Sequence, residues 1–145
     1  MGPIQNSCCL LLVAISGKLG GIHMQEDNLN LVRRFWQAVD KQDWTMLRSF
    51  FADEAIIIWP NTGEEFMPSR YVDINKNYPG VWHIELELVE TGDQNIVSVV
   101  NIDSESEPES LRGIAFFEIE KGKIVRLTEY FADNHDAPLW RKRIV

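Results

Sequence analysis

"GKIVRLTEYFAD", residues 122–133, decides how the rest of the chain is read. In a half-buried strand successive side chains point to opposite faces, so Val125, Leu127, Glu129 and Phe131 share one face while Ile124, Arg126, Thr128 and Tyr130 take the other. The first set is apolar except for Glu129. A carboxyl on an apolar face must be protonated, paired or used in chemistry, because leaving it charged and unpaired there is costly. Just upstream, Lys121 and Gly122 read as a tight two-residue turn with Gly122 free to take a positive φ, so the strand is the second arm of a hairpin.

Working outward, the alternation continues into strands over residues 111–120, 95–103 and 81–90, joined by the acidic "SESEPES" and by "TGDQ". Before them "EAIIIW" at 54–59 is rich in β-branched residues, "PNTGEE" reads as a turn, and "PSRYVDINKNY" between Pro68 and Pro79 predicts a helix. Further upstream the period changes. Leu31, Val32, Phe35, Trp36 and Val39 recur at helical spacing behind a cap at Asn28 or Asn30, and Asp43 caps a second short helix, "WTMLRSFF". Helices first and a strand meander after them predict an α+β domain with the helices on one face of a mostly antiparallel sheet.

The 145 residues suit one domain, placed at 25–134, with a tail at 135–145. Residues 1–24 read as a poorly ordered leader or an upstream translation extension, with Met24 as a natural start and a degenerate export signal as the alternative. The apolar "CCLLLVAI" at 8–15 is too short to span a bilayer, which takes about 20 residues. Cys8 and Cys9 are adjacent and form no disulfide framework, which fits a reducing, cytoplasmic compartment. With 22 acidic and 14 basic residues the formal charge is −8, which repels nucleic acid and anionic membrane alike. Only Arg141, Lys142 and Arg143 cluster as cations.

The order of elements, with "FFADEAIIIWP" after two helices and "KGKIVRLTEYFAD" as a closing hairpin, resembles the SnoaL-like proteins of the nuclear transport factor 2-like superfamily over residues 28–133. The resemblance implies a curved sheet wrapped around the N-terminal helices as a cone with an internal pocket. "VWHIELELVETGD" and "TGEEF" are further similar to the phenazine biosynthesis A/B branch, in which a histidine and a terminal-strand glutamate serve the pocket; the matching positions are His83 and Glu129. Epoxide hydrolases of the superfamily use an Arg and an Asp two residues apart where this chain reads "VVNID", so that activity is not expected.

These readings name Glu129 and His83 as catalytic candidates. By simple alternation His83 lies with Glu85 and Glu87 on a polar face, away from Trp82, Ile84, Leu86 and Leu88, and reaches a pocket only if a bulge near Pro79 and Gly80 shifts the register. Trp36, Trp59, Tyr71, Tyr78 and Trp82 are candidates to line an aromatic cavity, and Asn101 to reach its rim. The three histidines lack metal-ligand spacing, and there is no phosphate-binding glycine loop or G-x-S-x-G elbow, so no metal or cofactor is expected. The expected partners are a small, mostly apolar ligand and a second copy of the chain. Two functions fit: cofactor-free acid/base catalysis, or ligand binding and assembly without turnover.

Overall fold

The computed structural model describes residues 8–144, with side chains from Gly21 onward. Helices α1 (Cys8–Asp40) and α2 (Trp44–Ser49) come first, followed by strands β1 (Phe51–Trp59) and β2 (Glu64–Phe66) and helix α3 (Pro68–Lys76). Strands β3 (Trp82–Thr91), β4 (Ile96–Ser104), β5 (Ser110–Glu120) and β6 (Lys123–Asp133) make the meander, and a short α4 (Leu139–Lys142) follows.

The predicted stripe on α1 is buried as expected, with Val32 and Phe35 fully enclosed. The predicted caps are not used. No proline interrupts residues 8–40, so helical hydrogen bonding propagates from Cys8, and the Asn30 side chain accepts instead from Arg33 at 2.8 Å. The boundary expected at residue 24 therefore falls inside α1, where Ile22 and Met24 are exposed and full burial begins only at Leu31. Asp43 does cap α2, accepting from the Met46 amide at 3.1 Å, after Gln42 has turned the chain at φ 58°.

One open six-stranded sheet runs in the order β2-β1-β6-β5-β4-β3. The three predicted hairpins pair antiparallel, and Lys121 and Gly122 both take positive φ in the last turn. The exception is β1, which lies parallel to β6 with Ile57 opposite Leu127. Part of the predicted "PNTGEE" turn is a strand: β2 folds back on β1 after Gly63, placing Phe66 opposite Ile57.

Besides the shift between Phe51 and Ile56 where β1 meets β6, two register shifts in the meander correct the simple alternation. Between Arg126 and Ile124 the ladder skips Val125, so Ile124 rather than Val125 is fully buried below that point. In β3 the ladder skips Glu87, which turns Leu88 outward and packs Val89 on the core. Alternation cannot anticipate either shift, because one extra residue inverts every later side chain.

Helix α1 packs on β3 and β4, and α3 packs on β1 and α2, all on the same side of the sheet. Phe35 sits at the centre, its ring edge-on to Phe117 at 5.1 Å and to Trp36 at 5.0 Å. Among the described residues no helix is long and apolar enough to cross a membrane, and no three His, Cys, Asp or Glu side chains converge to hold a metal ion.

Candidate functional site

Above its bulge, β6 keeps the expected alternation, and Glu129 points into the core between Leu127 and Phe131. It is 1% exposed. Its neighbour across β5 is Ala115, also buried, whose small side chain leaves room for the carboxyl. The parallel pairing carries the end of β1 alongside, so Trp59 Nε1 donates to Glu129 Oε2 at 2.7 Å. From the other side α3, started by Pro68 at its first position, presents Tyr71, whose hydroxyl donates to Oε1 at 2.9 Å.

The carboxyl thus has one protein donor on each oxygen inside an aromatic wall. The Trp59 ring stands edge-on to Phe66 at 4.7 Å, to Phe131 at 5.9 Å and to Tyr71 at 6.2 Å, while Tyr71 stacks on Phe35 at 6.5 Å. Gly113 lies against this wall, where a Cβ would come within 3.1 Å of the Phe131 ring and the ring would have to shift slightly.

Burial pushes the Glu129 carboxyl up to about 7, and the bonds from Trp59 and Tyr71 only partly oppose it. Burial, then the Glu129 charge and hydrogen bond, hold the Tyr71 hydroxyl well above its ordinary value, so the phenol stays protonated. An indole N–H only donates, whereas a phenol both donates and accepts. When Glu129 takes a proton, that proton therefore belongs on the oxygen facing Tyr71, whose hydroxyl turns to accept it. Glu129 is half protonated near neutral pH, with an adjacent hydroxyl that adapts to either state.

His83 is not part of this arrangement. It projects from the exposed side of β3, more than half accessible, where Nε2 meets Glu105 Oε1 and Nδ1 lies 3.9 Å from Asp40. Asp40 in turn accepts from the Ile84 amide at 2.8 Å, tying the end of α1 to the edge strand. The hydrogen bond His83 donates to the Glu105 carboxylate raises the histidine above its ordinary value. The bulge in β3 lies at Glu87, not at the Pro79-Gly80 position that would have turned His83 inward.

Of the aromatic candidates, the structure brings Trp59 and Tyr71 to Glu129. Trp36 is buried and donates to Ser98 Oγ at 2.9 Å. Tyr78 and Trp82 form an edge-on pair at 5.4 Å near the start of β3, with Trp82 Nε1 donating to the Pro79 carbonyl. Asn101 lies on the outer face, bonded to Asp103 and Asn134. Sequence reasoning passed over Ser98, which is fully buried between Ile96 and Val100. The signal was the one that found Glu129, a polar residue in register with an apolar face.

Two surface hollows lie elsewhere. One of about 170 Å³ is bounded by α1 and the β3–β4 turn, and one of about 270 Å³ lies on the outer face around Phe116, Arg126 and Tyr130. Neither is lined by Glu129, Trp59 or Tyr71.

The pattern of the SnoaL-like domain matches residues 32–127. No curated protein sequence matches the chain. Among solved structures, a candidate ketosteroid isomerase from Kribbella flavida DSM 17836 is 22% identical, covering 83% of this chain and 88% of its own, with a TM-score of 0.72. An NTF-2 like protein of unknown function from Burkholderia xenovorans LB400 is 23% identical over 83% of this chain and 94% of its own, also at 0.72. A candidate polyketide cyclase from Xanthomonas campestris pv. campestris is 20% identical over 74% and 91%, at 0.60. At these identities the likeness is one of fold.

Proposed function

Because the chain belongs to the SnoaL-like domain family, we propose that it takes a small, mostly apolar and cyclic metabolite against the aromatic wall around Glu129 and moves a proton on it without a cofactor. The observation that carries this reading is a fully buried carboxyl, raised to about 7, whose two oxygens are held by groups able to serve either protonation state. Such a group accepts a proton from carbon beside a carbonyl and returns it elsewhere, which covers isomerisation, dehydration and carbonyl condensation. The isomerase and cyclase descriptions of two structural neighbours support that class of chemistry. Trp59 and Phe131 are only half-buried, so the ligand approaches on their side.

A second reading, ligand binding without turnover, is favoured by the same closeness: both carboxyl oxygens are already satisfied within the protein. A panel of β,γ-unsaturated cyclic ketones, followed by the absorbance of the conjugated product, separates the two. Catalysis predicts turnover that falls about 10²- to 10⁴-fold in Glu129→Gln. Binding without any product, unchanged by the substitution, would establish the second reading.

Glu129→Gln also tests the protonation state directly. Glutamine accepts from Trp59 through its oxygen and donates to Tyr71, so the variant folds. Since the native carboxyl titrates near 7 and an unfolded one near about 4.3, the native state binds more protons between those values. Wild-type stability relative to the variant is therefore full below the unfolded value and declines as pH rises through about 7, by on the order of 3 kcal/mol. Thermal melts from pH 5 to 8 read this difference, and a rise with pH would show a paired anion instead.

A further inference from the structure

A hollow of about 170 Å³ lies between α1 and the β3–β4 turn. Its rim holds four carboxamides, Gln25 and Asn28 from α1 and Gln94 and Asn95 from the turn, beside Thr91 and Asp93. Ile96, Phe117 and Ile119 form the floor. The turn is fixed, since the Gly92 amide donates to the Asn95 carbonyl at 2.7 Å. A Cβ at Gly92 would lie 2.7 Å from Asn95 Oδ1, so any side chain there would displace the Asn95 amide from its place over the turn.

The chemistry of this rim is selective. Each carboxamide offers two N–H donors and a carbonyl acceptor in one plane, a match for neighbouring hydroxyls that both donate and accept. Gln25 and Gln94 are exposed and Asn28 and Asn95 half-exposed, so all four amides can turn their donors and acceptors to an occupant of the hollow. Among the described residues no Lys, Arg or His lines the hollow and the one ionisable group there is Asp93, so within that lining an anion finds no partner and one repelling charge. The volume of about 170 Å³ is below the roughly 300–1,000 Å³ of sites for drug-sized ligands, which suits the seating of a single ring.

We propose that this hollow binds a neutral, single-ring polyhydroxylated molecule, a monosaccharide or cyclitol. Its hydroxyls pair with the four amides and its C–H face lies on Ile96 and Ile119. The site is separate from Glu129 and does not depend on the chemistry assigned there.

The test is titration of the full ¹⁵N-labelled chain with D-glucose and with myo-inositol, followed through the side-chain amide resonances. The expected result is a saturable shift of the Gln25, Asn28, Gln94 and Asn95 signals, retained in Glu129→Gln. Binding weakens about tenfold in Asn28→Ala and in Gln94→Ala, each losing about one hydrogen-bonded amide. Glucose 6-phosphate binds more weakly than glucose. The proposal is overturned if neither polyol gives a saturable shift by ~100 mM, if cyclohexanol binds as tightly as myo-inositol, or if both variants bind like wild type. Gln94 is exposed on the turn, so its variant carries the test even where Asn28→Ala fails to fold.

Discussion

Glu129 is legible in the sequence because three apolar companions at period two make its charge anomalous. Its partners are not. Trp59 and Tyr71 stand 70 and 58 residues away, and sequence marks them as aromatic without indicating that their N–H and O–H converge on one carboxyl. Their roles are separable by substitution. Tyr71→Phe keeps the ring that stacks on Phe35 and removes the donor to Oε1. Because that bond favours the charged carboxyl, its loss moves the Glu129 midpoint above about 7, visible as a shift of the protonated-carboxyl infrared band toward higher pH. A midpoint that moved down would show that the Tyr71 hydroxyl accepts the Glu129 proton at rest and stabilises the neutral form.

At the scale of elements, the hairpins were readable from alternation and turn chemistry, to within a residue or two at most ends. What escaped were features that alternation does not encode: the skipped residues Glu87 and Val125, the three-residue β2, and the upstream reach of α1. The bulge position also decides where His83 goes. At the edge of the sheet it faces Asp40 from α1, Glu105 from the β4–β5 turn, and Asp103 across the ladder. All three are carboxylates, so protonated His83 clasps the end of α1 and the acidic turn to β3. Since its folded value is raised, the contribution is complete below the ordinary histidine range and is lost as pH rises through the folded value. The expected observation is a His83 ring titration by NMR with its midpoint above about 6.5, returning toward that figure in Glu105→Gln. A midpoint that does not respond to Glu105→Gln would remove the clasp.

For the whole molecule, the outer face of the sheet leaves apolar side chains exposed among the described residues. Ile114 and Tyr130 are each about two-fifths exposed, Phe116 packs edge-on to Tyr130 at 6.2 Å, and Glu118 pairs with Arg126 beside them at 3.2 Å. An apolar centre flanked by both signs of charge suits a two-fold contact with a second copy. Sedimentation at micromolar concentration is expected to give twice the chain mass, falling to the single-chain value in Ile114→Asp; a monomeric wild type would contradict the assignment. The parallel seam between β1 and β6 has a different consequence, one of time. Hairpins β3 to β6 close over short loops, whereas β1 joins its partner across about half of the chain, the slower kind of event. Burial of Glu129 must wait for that seam, because Trp59 arrives with β1. Refolding at about pH 6 should therefore draw a proton from solution onto Glu129 in its last phase, beyond what His83 takes up, together with the Trp59 fluorescence change. The folding of this chain and the charging of its site are then a single kinetic step, and Glu129→Gln should fold through the same phase without taking up the proton.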